Sequence, residues 1–193
     1  DVLSRYALPK DPFNKLITAF EMDVQINRHP TFDDLIFYCR FSANPVGEIV
    51  LRLFGAWTEP RARWSNAICT ALQLANFWQD VTVDGLKNRI YIPQNEMAAF
   101  GVTEETVIRG PGSPPLKKLI NHLVARTWPL FYEGRPLLSD SPKSLQKELR
   151  LVWAGGTEIL RKIEAQKGDV WSKRPRVTKW DWVRIFGKMW VGK

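Results

Sequence analysis

The segment ALQLANFWQDVTVD, from Ala71 to Asp84, limits the fold more than any other part of the chain. Most of its residues are apolar, yet Gln73, Asn76, Asp80 and Asp84 recur at offsets 0, +3, +7 and +11. At about 100° per residue these four project into a stripe about 80° wide. The spacing predicts a helix buried nearly all round, with one narrow polar seam. A buried carboxylate is costly unless it is paired or metal-bound. Asp80 and Asp84 lie one turn apart, close enough to share a hard cation. Magnesium prefers oxygen ligands and keeps several waters, so two carboxylates plus a substrate phosphate suit it. A plainer reading also fits the spacing: both residues mark a helix end at the turn signal Asp84-Gly85. The negative end of the helix macrodipole works against carboxylates there.

Helical periodicity dominates the rest of the chain. Residues 12–25 place Phe13, Leu16, Ile17, Phe20 and Val24 on one helical face. Thr31 and Asp34 have capping-box spacing and open a helix over 32–57, kinked at Pro45. Pro60 opens the next helix, over 61–83, followed by an irregular stretch over 86–95. Short helices are expected at 94–100 and 104–108, a Gly/Pro loop at 110–115, and helices at 116–132, 142–165 and 179–191, with 168–176 irregular. No alternating strand pattern or internal repeat is present. The expected fold class is all-α, one domain over 1–193.

Composition narrows the function. No run of about 18 apolar residues exists to span a membrane, and the first residues carry no signal peptide. Cys39 and Cys69 sit in apolar helical patterns and read as reduced thiols of a cytoplasmic protein. The net charge of +8 is confined to residues 143–193, which hold 13 Lys and Arg against 5 Asp and Glu. Within it, 168–193 forms a basic aromatic segment: Trp171, Trp180, Trp182 and Trp190 alternate with Lys173, Arg174, Arg176, Lys179, Arg184 and Lys188. That pattern suits peripheral contact with an anionic membrane, here the inner face of the cytoplasmic membrane, or a solvated tail with one aromatic face packed on the bundle. Nucleic-acid binding has no recognition motif to support it. His29, beside Pro30, and His122 read as surface residues.

Two motifs carry a resemblance. Asn76-Phe77-Trp78-Gln79-Asp80-Val81-Thr82-Val83-Asp84, followed by Arg89-Ile90-Tyr91-Ile92-Pro93, resembles the second aspartate-rich motif of the squalene and phytoene synthase family. Upstream, Tyr38-Cys39-Arg40-Phe41-Ser42-Ala43-Asn44-Pro45-Val46-Gly47 resembles that family's tyrosine segment. The wording is closest to the bacterial hydroxysqualene synthase branch of hopanoid biosynthesis, and the resemblance spans about residues 13–163.

The resemblance implies a helical bundle of the isoprenoid (terpenoid) synthase type with a deep apolar cavity. It implies that Asp80, Asp84 and Asn76 hold Mg2+, and that Tyr38, Asp80 and Asp84 are catalytic. Gln73, Asn76, Arg89, Tyr91, Ser42, Val46 and Gly156 are then expected to bind substrate, an isoprenoid diphosphate. Val46, Val50, Phe54, Leu72 and Leu74 are candidate cavity walls, with core packing the favoured reading for each. The reaction implied is ionisation of presqualene diphosphate and capture by water to give hydroxysqualene. Head-to-head condensation of two prenyl diphosphates is the alternative, and a non-catalytic homologue acting in assembly is a third. Other pathway enzymes are possible partners.

The chain departs from the family pattern in three places. The first aspartate-rich motif is absent before Tyr38, so the chain is expected to lack N-terminal helices and to be inactive alone. Gln79 stands where many relatives carry arginine. Gly155-Gly156 stands near a late active-site tyrosine of a carotenoid-making relative, and glycine there is expected to widen the pocket.

Overall fold

The computed structural model describes residues 2–6, 8–110 and 112–191, the side chains of residues 2 and 188–191 excepted. The described residues are helical, with no strand beyond one isolated bridge between Arg28 and Ile90. The helices are α1 Val2–Arg5, α2 Asp11–Gln25, α3 Phe32–Ser42, α4 Asn44–Leu53, α5 Glu59–Gln79, α6 Val81–Gly85, α7 Gln94–Ala99, α8 Glu104–Arg109, α9 Pro114–Gly134, α10 Leu137–Asp140, α11 Lys143–Ala165 and α12 Lys179–Val191.

Local chemistry sets most of these boundaries. At α3 the Thr31 hydroxyl accepts from the Asp34 N–H and the Asp34 carboxylate accepts from the Thr31 N–H, a complete capping box. Thr58 caps α5 through the Arg61 N–H, with Pro60 in the first turn. The helix expected over 32–57 is not one kinked rod. It breaks at Ala43 (φ −118°, ψ −48°), and Pro45 then sits in the first turn of α4, where its missing N–H costs nothing.

α5 is the central element, packed between α9, α4 and α11. Ala71, Leu74 and Trp78 on it are fully buried. Trp78 Nε1 donates to Thr127 Oγ1 of α9 at 2.9 Å, and Thr127 donates to the Leu123 carbonyl, so the polar tip of a buried tryptophan is satisfied. Two glycines let neighbours approach α5. A Cβ on Gly134 of α9 would lie 2.7 Å from the Trp64 carbonyl oxygen, and one on Gly47 of α4 would lie 2.7 Å from Cys69 Sγ.

The periodic face of α2 points outward instead of into the core. Ile17, Phe20 and Val24 are exposed, while Pro12 and Ala19 are buried and Met22 packs on the core. Periodicity identifies a face without saying which side meets a neighbour, and here the small inward side chains bring α2 close to α3 and α4. No described helix is long and apolar enough to cross a membrane.

The close α5–α9 approach yields a stability prediction. Gly134→Ala forces a methyl group against backbone and is expected to cost about 1–3 kcal/mol in urea unfolding; an unchanged midpoint would show that the two helices can part freely.

Candidate functional site

The polar seam lies at the open end of α5. Ala71, Leu74, Ala75, Phe77, Trp78 and Val81 are buried, whereas Gln73, Asp80 and Asp84 are half-buried and Asn76 is exposed. The helix expected over 61–83 is interrupted at Asp80, whose backbone (φ −106°, ψ 14°) ends α5 and starts α6. The hydrogen-bond ladder nevertheless continues, from Asp80 N–H to the Asn76 carbonyl at 2.9 Å and from Asp84 N–H to the Asp80 carbonyl at 2.8 Å. Asp80 and Asp84 therefore remain one turn apart.

Each carboxylate has a distinct environment. Asp80 receives a two-pronged ion pair from Arg174, with Nε at 2.5 Å and Nη2 at 2.9 Å. Next to it Gln79 Nε2 donates to the Pro175 carbonyl at 2.5 Å, fastening the stretch after α11 across the end of α5. Burial raises the Asp84 carboxyl above the usual carboxylate range, and the charge of Asp80 raises it further, while Lys87, Arg89 and Arg174 pull it back. Two neighbouring carboxylates thus call for a cation, and a guanidinium supplies it.

Tyr38 forms a second wall. Its phenol donates to Asp23 Oδ1 at 2.7 Å, and burial first, then that hydrogen bond, pushes the phenol far above its ordinary value. Ser42 Oγ donates to the Tyr38 carbonyl at 3.2 Å, which places Ser42 beneath the tyrosine's own backbone. Arg89 Nη2 reaches the Asp23 carbonyl at 3.4 Å. The two walls meet at Tyr91. Its ring stacks on Phe77 at 3.8 Å and lies 6.2 Å from Tyr38. With Asp84 and Arg89 it also lines a hollow of about 10 Å3, room for roughly one water.

Several expectations are corrected. His29 is buried, because Ile90 N–H bonds to the Asn27 carbonyl and Gln94 N–H to the His29 carbonyl, drawing the α2–α3 connection under the loop. Its ring stacks on Tyr91 at 5.7 Å. Gly156 does not widen a pocket: a Cβ there would lie 2.7 Å from Phe131 Cζ, so it packs α11 against its neighbours. Val46 and Phe54 are exposed, Leu74 is core as its packing reading expects, and none of the three lines the hollow beside Asp84. The large cavity, about 1410 Å3, lies farther along the same side of α5, by Asn66 and Thr70, and is bounded by Phe37 and Arg40 of α3. His122 is partly exposed and lies 3.2 Å from Glu96, as a surface residue should. Asp23 carries no signal in the sequence pattern, and His29 and Arg174 stand out there only as a surface residue and a cation of the basic segment. Trp190 and Lys188 lie outside the described side chains.

The donor set fits a hard divalent cation. Asp80 and Asp84 offer oxygens, and Asn76 sits one turn before Asp80 on the seam. Among the described residues no group of three or more His, Cys, Asp or Glu gathers. Magnesium held here would take its remaining ligands from water and phosphate.

Comparison with known proteins gives a consistent result. The family model described as squalene/phytoene synthase matches residues 1–181. A hydroxysqualene synthase of Rhodopseudomonas palustris is 34% identical over 168 residues, covering 85% of this chain and 56% of that protein. A chloroplastic phytoene synthase of Daucus carota is 29% identical over 188 residues, covering 93% of this chain and 46% of that protein. Among solved structures, squalene synthase HpnC from Alicyclobacillus acidocaldarius superposes with a TM-score of 0.82 at 39% identity, over 86% of this chain and 63% of that one. The chain spans about half the length of the curated relatives it matches.

The raised Asp84 carboxyl has a pH consequence. Because folding raises its pKa, the carboxylate burdens the folded state only once pH climbs past its unfolded value, about 3.9. Asp84→Asn is therefore expected to melt higher than the parent at pH 7, with the gain vanishing below that value. A variant less stable than the parent at pH 7 would contradict this electrostatic picture.

Proposed function

The chain belongs to the squalene/phytoene synthase family, and from that premise we propose that its α5–α6 wall is part of a magnesium-dependent site that ionises an isoprenoid diphosphate. The observation that carries the reading is the pair Asp80 and Asp84, a turn apart at the junction of α5 and α6, with a guanidinium already on Asp80. The preferred substrate is presqualene diphosphate and the product hydroxysqualene. Identity to a protein named hydroxysqualene synthase, together with the Ser42–Gly47 and Asn76–Asp80 wording, favours that reaction. Head-to-head condensation of two prenyl diphosphates is the second reading, favoured by the likeness to a phytoene synthase over nearly the whole chain.

In this reading the carbon–oxygen bond breaks with its electron pair leaving on diphosphate. Asp80, Asp84 and the Asn76 amide would hold magnesium, which when bound would supply positive charge for that leaving group. Arg174, now paired with Asp80, would have to release that carboxylate for it to take up this role. Arg89 and Tyr91 donate to phosphate oxygens, and Gln73 lines the same wall. Tyr38 stays protonated, since burial and Asp23 hold its proton, so it acts through its ring face toward a carbocation rather than as a base. Water then adds to the rearranged cation and gives up a proton, and the products are the alcohol and free diphosphate.

Residues 1–193 act in this proposal as one domain, which holds Asp80 and Asp84 but no acidic motif of the family's first kind before Tyr38. A cytoplasmic setting accords with the free thiols Cys39 and Cys69; burial pushes the Cys39 thiol up to about 12 and keeps it protonated.

Product analysis of the complete protein with magnesium tests the reading. Presqualene diphosphate should yield hydroxysqualene and diphosphate, EDTA should stop the reaction, and Asp80→Asn should slow it by more than about 100-fold, the upper range for losing an outer-shell partner. Consumption of farnesyl diphosphate alone would select the condensation reading. Turnover indifferent to EDTA and to Asp80→Asn would overturn both.

A further inference from the structure

The last helix is amphipathic in an unusual sense, because both of its faces carry large apolar side chains and only one is covered. The inner face is fastened to α11. Ile185 is buried, the Trp182 ring lies 3.5 Å from where a Cβ on Gly155 would stand, Lys162 meets Asp181 at 2.8 Å and Arg184 meets Glu158 at 2.5 Å. The outer face shows Trp180, Val183 and Phe186, which are 82%, 61% and 45% exposed. Spaced three residues apart, they fall within about 120° of one another on the helix. An apolar stripe centred on an exposed tryptophan, on a helix already docked by its other side, marks a surface that meets something else.

Charge chooses the partner. Lys173, Arg176 and Lys179 are exposed on the approach to α12, and none has a carboxylate partner among the described residues. The nearby acids face inward: Asp181 is taken by Lys162 and the Thr178 cap, and Glu158 by Arg184 and Arg161. The outer side of this segment is therefore cationic at the edge of an apolar stripe. An anionic polymer would satisfy the cations but not Trp180, Val183 and Phe186, and an ordinary protein groove would satisfy the stripe but has no reason to be acidic at its edge. A bilayer with anionic headgroups satisfies both, with tryptophan at the headgroup level.

We propose that α12 and the basic stretch before it seat the protein on an anionic phospholipid bilayer, with α12 lying in the interface plane and Trp180, Val183 and Phe186 dipped to the acyl boundary. As described, α12 has 13 residues, too few to cross a bilayer. The seat rests on α12 and its flanking charges alone, so it stands independently of the reaction proposed above.

Co-sedimentation with vesicles tests the seat. The chain should pellet with vesicles of equal phosphatidylglycerol and phosphatidylcholine, poorly with phosphatidylcholine alone, and less at high salt. The double substitution Trp180→Glu with Phe186→Glu should lower the partition at least about ten-fold. Lys173→Gln, Arg176→Gln and Lys179→Gln should each lower it about five-fold. Circular dichroism and thermal melting of these variants should match the parent, because the altered side chains are exposed. Failure to pellet with anionic vesicles, or equal binding by the Glu variant, would overturn the proposal. So would a lipid-free dimer that Trp180→Glu dissolves while vesicle binding is absent, or tighter binding to duplex DNA than to anionic vesicles.

Discussion

The ion pair between Asp80 and Arg174 ties the stretch after α11 to the end of α5, and it leaves two carboxylates a turn apart in unlike surroundings. α5 packs between α4, α9 and α11, and Asp80 and Asp84 lie half-buried where it gives way to α6. Asp80 is paired with Arg174, 94 residues away in sequence. Asp84 is left with a carboxyl raised by burial and then by the charge of Asp80. On the function proposed above, that difference would make the pair responsive to an added divalent ion.

The second wall depends on long-range pairing of a different kind. Tyr38 is oriented by Asp23 of α2, and the loop carrying Arg89 and Tyr91 is stapled to the α2–α3 connection by the Ile90–Asn27 and Gln94–His29 backbone bonds. Arg28 reinforces the staple through Glu104 at 2.8 Å and the Asn88 carbonyl at 2.7 Å. The Phe77–Tyr91 stack then joins this wall to α5. Tyr38 and Asp84 sit on different helices, yet a continuous path of packed rings connects them.

Much of this was legible in the residues, and the limits have physical causes. α9, α11 and α12 follow from 3.6-residue periodicity, and α3 begins at Thr31 because its capping box is a purely local signal. The seam on α5 was legible because a few polar residues stand out against an apolar helix. The break at Ala43 was not, since a proline inside a helical pattern admits either a kink or a fresh start. Arg174 was one cation among many in a basic tail, and only tertiary packing distinguishes it. His29 looked like a turn residue because its burial comes from a loop some 60 residues later, as the Arg28–Asn88 contact across 60 positions illustrates. Gly156 was read for the space it leaves, whereas Phe131 takes up that space.

The most direct test of the central claim is a titration of the protein with Mn2+ followed by electron paramagnetic resonance, with and without inorganic diphosphate, in the parent and in Arg174→Gln. The account predicts that Mn2+ binds, that diphosphate tightens it, that Arg174→Gln binds the ion more tightly in the absence of diphosphate, and that Asp80→Asn loses it. Mn2+ binding unaltered by both substitutions, or no binding even with diphosphate, would contradict the claim that Asp80 and Asp84 are a cation site held in waiting by a guanidinium.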